Sequence, residues 1–196
     1  MKSATFIIIM LFSGSISFAQ TKKEQNFITT VSSVITAYSH HDSGAISKFI
    51  DNNIGIYQLD KIGVYPHYNH YKTLSFSDTT YPQVLFTQAK NIQLLPLEFA
   101  SLPAWDCDKE IWSKKGLFVD TTKIDHLLST ICKDRNKYRP DTISEKTIRN
   151  FYDLENASRR IVLIDNNSKE FIFYLTYLKG QWFLTMIDHL SSDCSS

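Results

Sequence analysis

Apolar positions in the first part of the chain recur with the period of an α-helix. Within residues 22–41 they follow one another at intervals of four, three, one and three, and they are Phe27, Val31, Val34, Ile35 and Tyr38. Because an α-helix completes a turn in about 3.6 residues, these positions share one face. The pattern predicts an amphipathic helix, followed by a short second helix over residues 44–50 that Asp42 or Ser43 caps.

The end of the chain alternates with the period of a β-strand. Residues 159–165, 170–178 and 181–189 are rich in aromatic and β-branched side chains, and the two-residue gap Lys179-Gly180 predicts a tight hairpin. Both faces of the middle strand are largely apolar. We therefore expect one face to pack on helices and the other to line a cavity, an insertion or a dimer interface. Two earlier strands are predicted over residues 54–59 and 64–71, with a turn at 60–63.

The middle of the chain, residues 103–158, is less regular and is interpreted as an insertion or lid. It contains two predicted helices, over residues 123–136 and 144–154. In the first of these, Leu128, Ile131 and Cys132 fall on one face. At about 55 residues the segment is too short to bury much core alone. The sequence thus predicts a single domain over residues 20–196 that includes this insertion.

The N-terminus has the organisation of a secretory signal peptide. Lys2 precedes an uncharged apolar stretch over residues 4–12, and Ser17 and Ala19 fit a small-residue cleavage site. The stretch is well short of the roughly 20 residues that span a bilayer. We predict cleavage after Ala19, a secreted or periplasmic protein, and no membrane association of the mature chain.

Charge and composition narrow the classes of function. The 196 residues include 21 basic and 20 acidic side chains, and 43% of them are hydrophobic. This composition supports a folded core and excludes intrinsic disorder. Removal of residues 1–19 takes away Lys2 and leaves 20 basic against 20 acidic residues. Without a cationic surplus, we expect no nucleic-acid partner.

Three cysteines follow the predicted cleavage site, and an oxidising compartment favours disulfides. Cys107 and Cys194 lie in polar, turn-rich segments, whereas Cys132 lies on the apolar face of a predicted helix. We predict a Cys107–Cys194 disulfide that holds the C-terminal tail, with Cys107–Cys132 as the main alternative. No CxxC or HExxH spacing is present, so we expect no metal site.

The order of the predicted elements and the closing strand carry a family resemblance. An N-terminal helix pair, a short hairpin and a closing meander end in the segment Gly180-Gln181-Trp182-Phe183-Leu184-Thr185-Met186-Ile187-Asp188. This arrangement resembles the nuclear transport factor 2-like superfamily, which includes ketosteroid isomerase. Three further segments resemble its uncharacterised secreted bacterial members: residues 49–57, Asp106-Cys107-Asp108 with Trp112 and Gly116, and Asp193-Cys194-Ser195.

The resemblance implies an α+β fold in which N-terminal helices pack on a curved antiparallel sheet. It also implies a cone-like sheet around an apolar pocket and, in many members, a homodimer formed through the sheet. The superfamily includes isomerases, dehydratases, binding modules and immunity-type proteins, so the fold alone does not give the function. The isomerase's catalytic Tyr and Asp cannot be aligned onto positions of this sequence, and we predict no catalytic residue from it.

A run of tyrosines and histidines over residues 65–71 is the first candidate for chemistry. On an extended strand Tyr65, His67, Asn69 and Tyr71 share one face, where they could hydrogen-bond a polar ligand or stack on a sugar or aromatic ring. The alternative is an exposed amphipathic strand without a ligand. His70 would point to the other face from His67, so the two histidines do not predict a metal site.

Trp182 and Asp188 in the closing strand are the second candidate. By simple alternation Asp188 projects to the face of Trp182, Leu184 and Met186. A carboxylate beside an apolar row would have a raised pKa and could act as a general base. The alternative is a strand-end aspartate that accepts a hydrogen bond near the Cys194 disulfide.

These observations favour a secreted or periplasmic binding or interaction module without enzymatic activity or a cofactor. Its predicted partner is a small apolar or aromatic ligand or another protein, and a homodimer through the sheet is a third possibility. The alternative is a cofactor-independent isomerase, dehydratase or hydrolase with an acid–base residue in the pocket. The sequence contains no GxSxG, P-loop or GxGxxG motif.

Overall fold

The computed structural model describes residues 13–140 and 142–194, with side chains from residue 21 onward. The predicted signal peptide therefore lies largely outside the described residues. The elements in chain order are α1 (Ser13–Ser39), α2 (Ser43–Ser47), β1 (Ile56–Ile62), β2 (Tyr65–Tyr71), a 3₁₀ turn (Gln83–Thr87), β3 (Leu97–Phe99), β4 (Trp105–Asp106), β5 (Ile111–Trp112), β6 (Gly116–Val119), α3 (Leu127–Tyr138), α4 (Glu145–Asn156), β7 (Ser158–Ile164), β8 (Glu170–Leu178) and β9 (Gln181–Asp188).

Seven strands form one sheet in the order β2-β1-β9-β8-β7-β6-β3. The predicted α+β class is confirmed, but the sheet is mixed rather than antiparallel, because β1 pairs with β9 and β3 with β6 in parallel. Short turns force neighbouring strands of the β7–β8–β9 meander to run antiparallel. No such turn joins β1 to β9, which are far apart in the chain, so nothing local sets their relative direction.

The predicted apolar face of α1 packs on the first face of the sheet. All five predicted positions are buried there, together with Phe171, Phe173 and Leu175 of β8. The Tyr38 ring stacks on Phe171 with centroids 3.9 Å apart. This packing confirms the first predicted helix. The short second helix is confirmed as α2, and Asp42 caps it by accepting a hydrogen bond from the Ala45 amide at 2.9 Å.

The second face of the sheet is covered by the segment predicted as an insertion. Helices α3 and α4 pack against Leu59, Tyr174 and Met186, and Trp112 of β5 packs against β7 and β8 farther along. Strand β6, which lies within residues 103–158, pairs with β7 in the main sheet. Of the three coverings expected for the second face, the chain's own middle segment is the one observed.

The sequence pattern located the β8–β9 hairpin turn correctly but misplaced the β1–β2 hairpin turn. Lys179 and Gly180 both have positive φ, 49° and 88°, as a tight two-residue hairpin turn requires, so that prediction is confirmed. The turn predicted at residues 60–63 is wrong in position, because β1 continues to Ile62 and Asp60 pairs with His67. The polar Asp60-Lys61 pair resembles a turn in sequence but lies within the β-ladder.

The Cys107–Cys194 disulfide is present, and Cys132 is free and buried in α3. The bridge joins the β4–β5 loop to the C-terminal tail across 87 positions of sequence. Both bridged cysteines are exposed to solvent. Within the part of the chain that the structure describes, no helix combines the length and apolar character that crossing a bilayer would require.

Replacing both Cys107 and Cys194 with serine should lower the free energy of unfolding by about 2–4 kcal/mol, because the unfolded chain loses a long-range cross-link. Urea denaturation of the two proteins measures the difference. Cys132→Ala is the control, and it should keep the Cys107–Cys194 linked peptide in non-reducing peptide mapping. Equal free energies of unfolding for the parent and the double variant would contradict the stabilising role.

Candidate functional site

The predicted Tyr/His/Asn row lies on one face of β2 but divides into two halves. Tyr71 packs against Phe86 of the core, with centroids 5.6 Å apart, and Asn69 donates a hydrogen bond to Asp60 Oδ2 at 3.2 Å. Tyr65 and His67, nearer the hairpin turn, line an open cleft. Only this outer half of the row therefore lines the cleft.

The cleft lies between the β1–β2 hairpin and helix α3 and has a volume of about 880 Å³. The hairpin wall consists of Ile62, Val64, Tyr65, Pro66, His67 and Tyr68. Tyr68 belongs to the opposite face of β2 from Tyr65, so the cleft wraps around the edge strand of the sheet. An exposed strand edge bordered by aromatic side chains is a common setting for recognition.

The helix wall follows the period of α3. Ile131, Asp134, Arg135 and Tyr138 line the cleft at helical positions i, i+3, i+4 and i+7. Lys137 and Arg139 complete this wall at the end of the helix. Ile131 is also part of the core beneath α3, so the packing that buries the helix also orients its cleft-facing side chains.

Large apolar and aromatic side chains remain exposed at the mouth of the cleft. Tyr65 is 64% exposed, Tyr138 is 76% exposed, and their ring centroids lie 6.2 Å apart across the opening. Ile62 and Val64 at the hairpin tip are also exposed. A cluster of uncovered apolar groups around a concave site is characteristic of a binding surface.

Trp182 lies away from the cleft. Its ring is buried edge-on against Phe27, with centroids 4.9 Å apart, and its indole N–H donates to the Lys23 carbonyl at 3.3 Å. The Lys23 ammonium lies over the neighbouring Tyr177 ring at 4.0 Å. These contacts attach α1 to the sheet at Lys23, and they assign Trp182 to packing.

Asp188 does not share a face with Trp182 and Leu184, because a β-bulge interrupts β9. Leu175 pairs with Leu184, whereas Tyr174 pairs with Met186, so one extra residue lies between the two pairs. Trp182 and Leu184 consequently pack under α1, and Met186 packs under α3 and α4. Simple alternation could not detect the extra residue, and the predicted common face is wrong.

The Asp188 carboxylate is fully engaged in structural contacts. It accepts hydrogen bonds from the Leu190 and Ser191 amides, from the Ser191 hydroxyl at 2.6 Å, and from Arg160 Nη2 at 3.0 Å. Arg160 also pairs with Asp125 at 3.4 Å, ahead of α3. This buried network fixes the turn after β9 and links it to the α3 segment, which leaves the carboxylate no free lone pair of use to a substrate.

The sequence prediction missed a second buried carboxyl group, Asp60. It is 2% exposed, and its Oδ1 has no hydrogen-bond partner among the described residues. Burial raises the pKa of Asp60, and the nearby His67 and the Tyr81 hydroxyl only partly oppose that effect. A hairpin turn placed at Gly63-Val64 would have revealed Asp60 as an in-strand residue opposite His67.

Neither a cysteine nucleophile nor a metal site is supported by the described residues. Burial raises the pKa of the Cys132 thiol to about 11, so it is protonated near neutral pH and is a poor nucleophile. Within residues 13–140 and 142–194, no cluster of three His, Cys, Asp or Glu side chains is arranged to hold a metal ion.

No family model, no curated protein and no solved structure matches this chain. The resemblance to the nuclear transport factor 2-like superfamily therefore stays a prediction.

Asp188 and Asp60 should respond in opposite directions to replacement by asparagine. At neutral pH, Asp188→Asn should lower the free energy of unfolding by about 2–4 kcal/mol, since it leaves the partly buried Arg160 with a weakened counter-charge. Asp60→Asn should raise it by roughly 1 kcal/mol, since it removes a buried carboxylate whose ionisation opposes folding.

The pH dependence of the free energy of unfolding tests whether the ionised Asp60 carboxylate destabilises the fold. A carboxyl group whose pKa is raised on folding favours the folded state at low pH, and this contribution is lost as pH rises through the folded pKa. The advantage of Asp60→Asn should therefore shrink towards pH 3 (approximate lower limit of the titration). Urea denaturation across pH measures it, and an advantage that grows as pH falls would contradict the assignment.

Proposed function

We propose that the protein is a secreted or periplasmic ligand-binding module and that the cleft between the β1–β2 hairpin and α3 is its binding site. The observation that carries the proposal is the concentration of exposed aromatic and apolar side chains around this concave surface. Proteins rarely leave such groups uncovered without a partner for them.

The proposed compartment is supported by the cysteine chemistry. The Cys107–Cys194 bridge lies on the surface, where a reducing cytosol would act on it directly. The predicted signal peptide over residues 1–19 points to the same compartment. A ligand-binding module outside the cytosol is consistent with both features.

The size of the cleft favours a small molecule as the ligand. Its volume of about 880 Å³ falls within the roughly 300–1,000 Å³ that is typical of small-molecule sites. Both walls carry aromatic rings, Tyr65 and Tyr68 from the hairpin and Tyr138 from the helix. These rings offer a flat or elongated apolar molecule aromatic surface on both walls.

A homodimer through the sheet receives less support. Helix α1 covers one face of the central strands, and α3 and α4 cover the other. Pairing of two sheets face to face would displace one of these layers. Light scattering of the purified protein distinguishes a monomer from a dimer.

Asp60 gives a specific reason to keep the enzymatic alternative, a cofactor-independent isomerase, dehydratase or hydrolase. It is a buried carboxyl group with a raised pKa beside a tyrosine hydroxyl, which is a suitable setting for a general acid or base. However, Asp60 does not line the cleft, whereas its cross-strand partner His67 does. Under the binding proposal, Asp60→Asn binds a cleft ligand as the parent does.

The neutral fluorescent probe N-phenylnaphthylamine should bind the folded protein in the cleft, with enhanced fluorescence on transfer to an apolar site. Tyr138→Ala should weaken this binding by about fivefold, because it removes an aromatic ring from the helix wall. Tyr152→Ala, which removes an exposed tyrosine of α4 outside the cleft, is the matched control and should leave the affinity unchanged.

Fluorescence titration of the three proteins gives the dissociation constants, and circular dichroism verifies that each is folded. The proposal is wrong if the probe does not bind the parent, or if Tyr138→Ala and Tyr152→Ala bind it equally well.

A further inference from the structure

We propose that the ligand of the cleft carries an anionic group on its apolar or aromatic body, and that Arg135 binds this anion. The inference rests on the proposed function of the cleft and specifies the chemical class of the ligand. The anion is a carboxylate, sulfonate or phosphate, all of which present oxygen pairs to a guanidinium group.

The charges that line the cleft are unbalanced. Three are basic, Arg135, Lys137 and Arg139, and one is acidic, Asp134. Lys137 Nζ lies 2.6 Å from Asp134 Oδ1, so this pair neutralises itself. Neither Arg135 nor Arg139 forms an ion pair with any residue that the structure describes. Two positive charges therefore remain on a chain whose formal net charge is only +1.

Arg135 is the better placed of the two arginines. It is half-buried, whereas Arg139 is exposed at the end of α3. Its charge acts on the Tyr68 hydroxyl, where it opposes the rise that burial causes in the Tyr68 pKa. Arg135 and Tyr68 both line the cleft. A partly desolvated cation without a counter-ion is costly, and a bound anion would offset that cost.

The helix dipole explains why basic residues lie in the last turn of α3, but it does not explain why Arg135 lies on the side of the helix that lines the cleft. Arg135 and Lys137 lie in the last turn of α3, where positive charges interact favourably with the helix C-terminus. That interaction would be equally satisfied by side chains pointing to solvent. Arg135 instead continues the stripe of Ile131 that faces the hairpin, so its position is set by the cleft.

The apolar part of the ligand would occupy the space between the two walls. Tyr65 and Tyr138 approach each other at the mouth, and Val64 and Pro66 add apolar surface on the hairpin side. An anion held at Arg135 places an attached ring or chain inside the cleft, beside these groups. The cleft therefore fits a small anionic amphiphile better than a neutral or cationic molecule.

Two probes that share the same body test the inference. Anilinonaphthalene sulfonate is N-phenylnaphthylamine with an added sulfonate, so the ratio of their affinities isolates the contribution of the anion. We expect the sulfonate to bind the parent protein about tenfold more tightly than the neutral probe. Because part of this preference is electrostatic, it should fall when the salt concentration is raised.

Arg135→Gln should abolish the preference for the sulfonate and leave the affinity for the neutral probe within about twofold of the parent. Arg149→Gln, an exposed arginine of α4 outside the cleft, is the matched control and should keep the full preference. If Arg135→Gln fails to fold, the salt dependence of the parent protein's preference still tests for the anion site. Arg139→Gln should then keep most of the preference for the sulfonate, because Arg139 is exposed at the end of α3.

The outcomes separate the two proposals. If the neutral probe binds in the cleft but the sulfonate binds no more tightly, or if its preference survives Arg135→Gln, the anion inference is overturned and the binding function stands. If the neutral probe does not bind the parent, the binding proposal is overturned, and the anion inference falls with it. A tenfold preference that high salt and Arg135→Gln each remove supports the assignment of an anionic ligand.

Discussion

Burial of both faces of the central strands is the constraint from which the rest of the fold follows. Strand β8 places Phe171, Phe173 and Leu175 on one face and Ile172 and Tyr174 on the other, and all are buried. Each Å² of apolar surface left in water would cost roughly 25 cal/mol. Helix α1 covers only the first face. The chain must therefore supply a second layer, and residues 103–158 do so.

The cleft is a consequence of how that second layer is held. Glu155 at the end of α4 accepts hydrogen bonds from the Leu128 amide at 2.6 Å and the Ser129 amide at 3.2 Å, two N–H groups in the first turn of α3. This buried carboxylate caps α3 and joins the two helices. With its N-terminus fixed there, α3 packs with Leu59 of β1 and contacts the edge strand β2. The cleft is the space between the β1–β2 hairpin and the part of α3 from Ile131 to Tyr138.

Local patterns predicted the parts of the fold that depend on local physics. The buried face of α1, the Lys179-Gly180 hairpin and the cap at Asp42 each follow from neighbouring residues. The Cys107–Cys194 pair was predicted because Cys132 lay on an apolar helical face. The bulge in β9 and the position of the β1–β2 turn were missed. The bulge depends on the register between β8 and β9. The position of the turn depends on the β1–β2 pairing, which includes the polar Asp60 in the ladder.

The candidate site was only half visible in the sequence. Tyr65 and His67 were found because they cluster in a short run, but Arg135 and Tyr138 carry no local signal of function. They lie about 70 positions from Tyr65 in the chain. Helical period shows that Ile131, Arg135 and Tyr138 share a stripe, yet only the tertiary position of α3 shows that the stripe faces β2. Asp188 and Trp182 illustrate the converse, since suggestive residue types there serve packing and a buried hydrogen-bond network.

Amide chemical-shift mapping by NMR during titration with N-phenylnaphthylamine tests the central claim most directly, because it locates the bound molecule without any substitution. If the cleft is the binding site, the shifts should be confined to residues 62–68 and 131–139, on the hairpin and the α3 wall. Shifts centred on α1, on β7 or on the β4–β5 hairpin, with the cleft unchanged, would contradict the account.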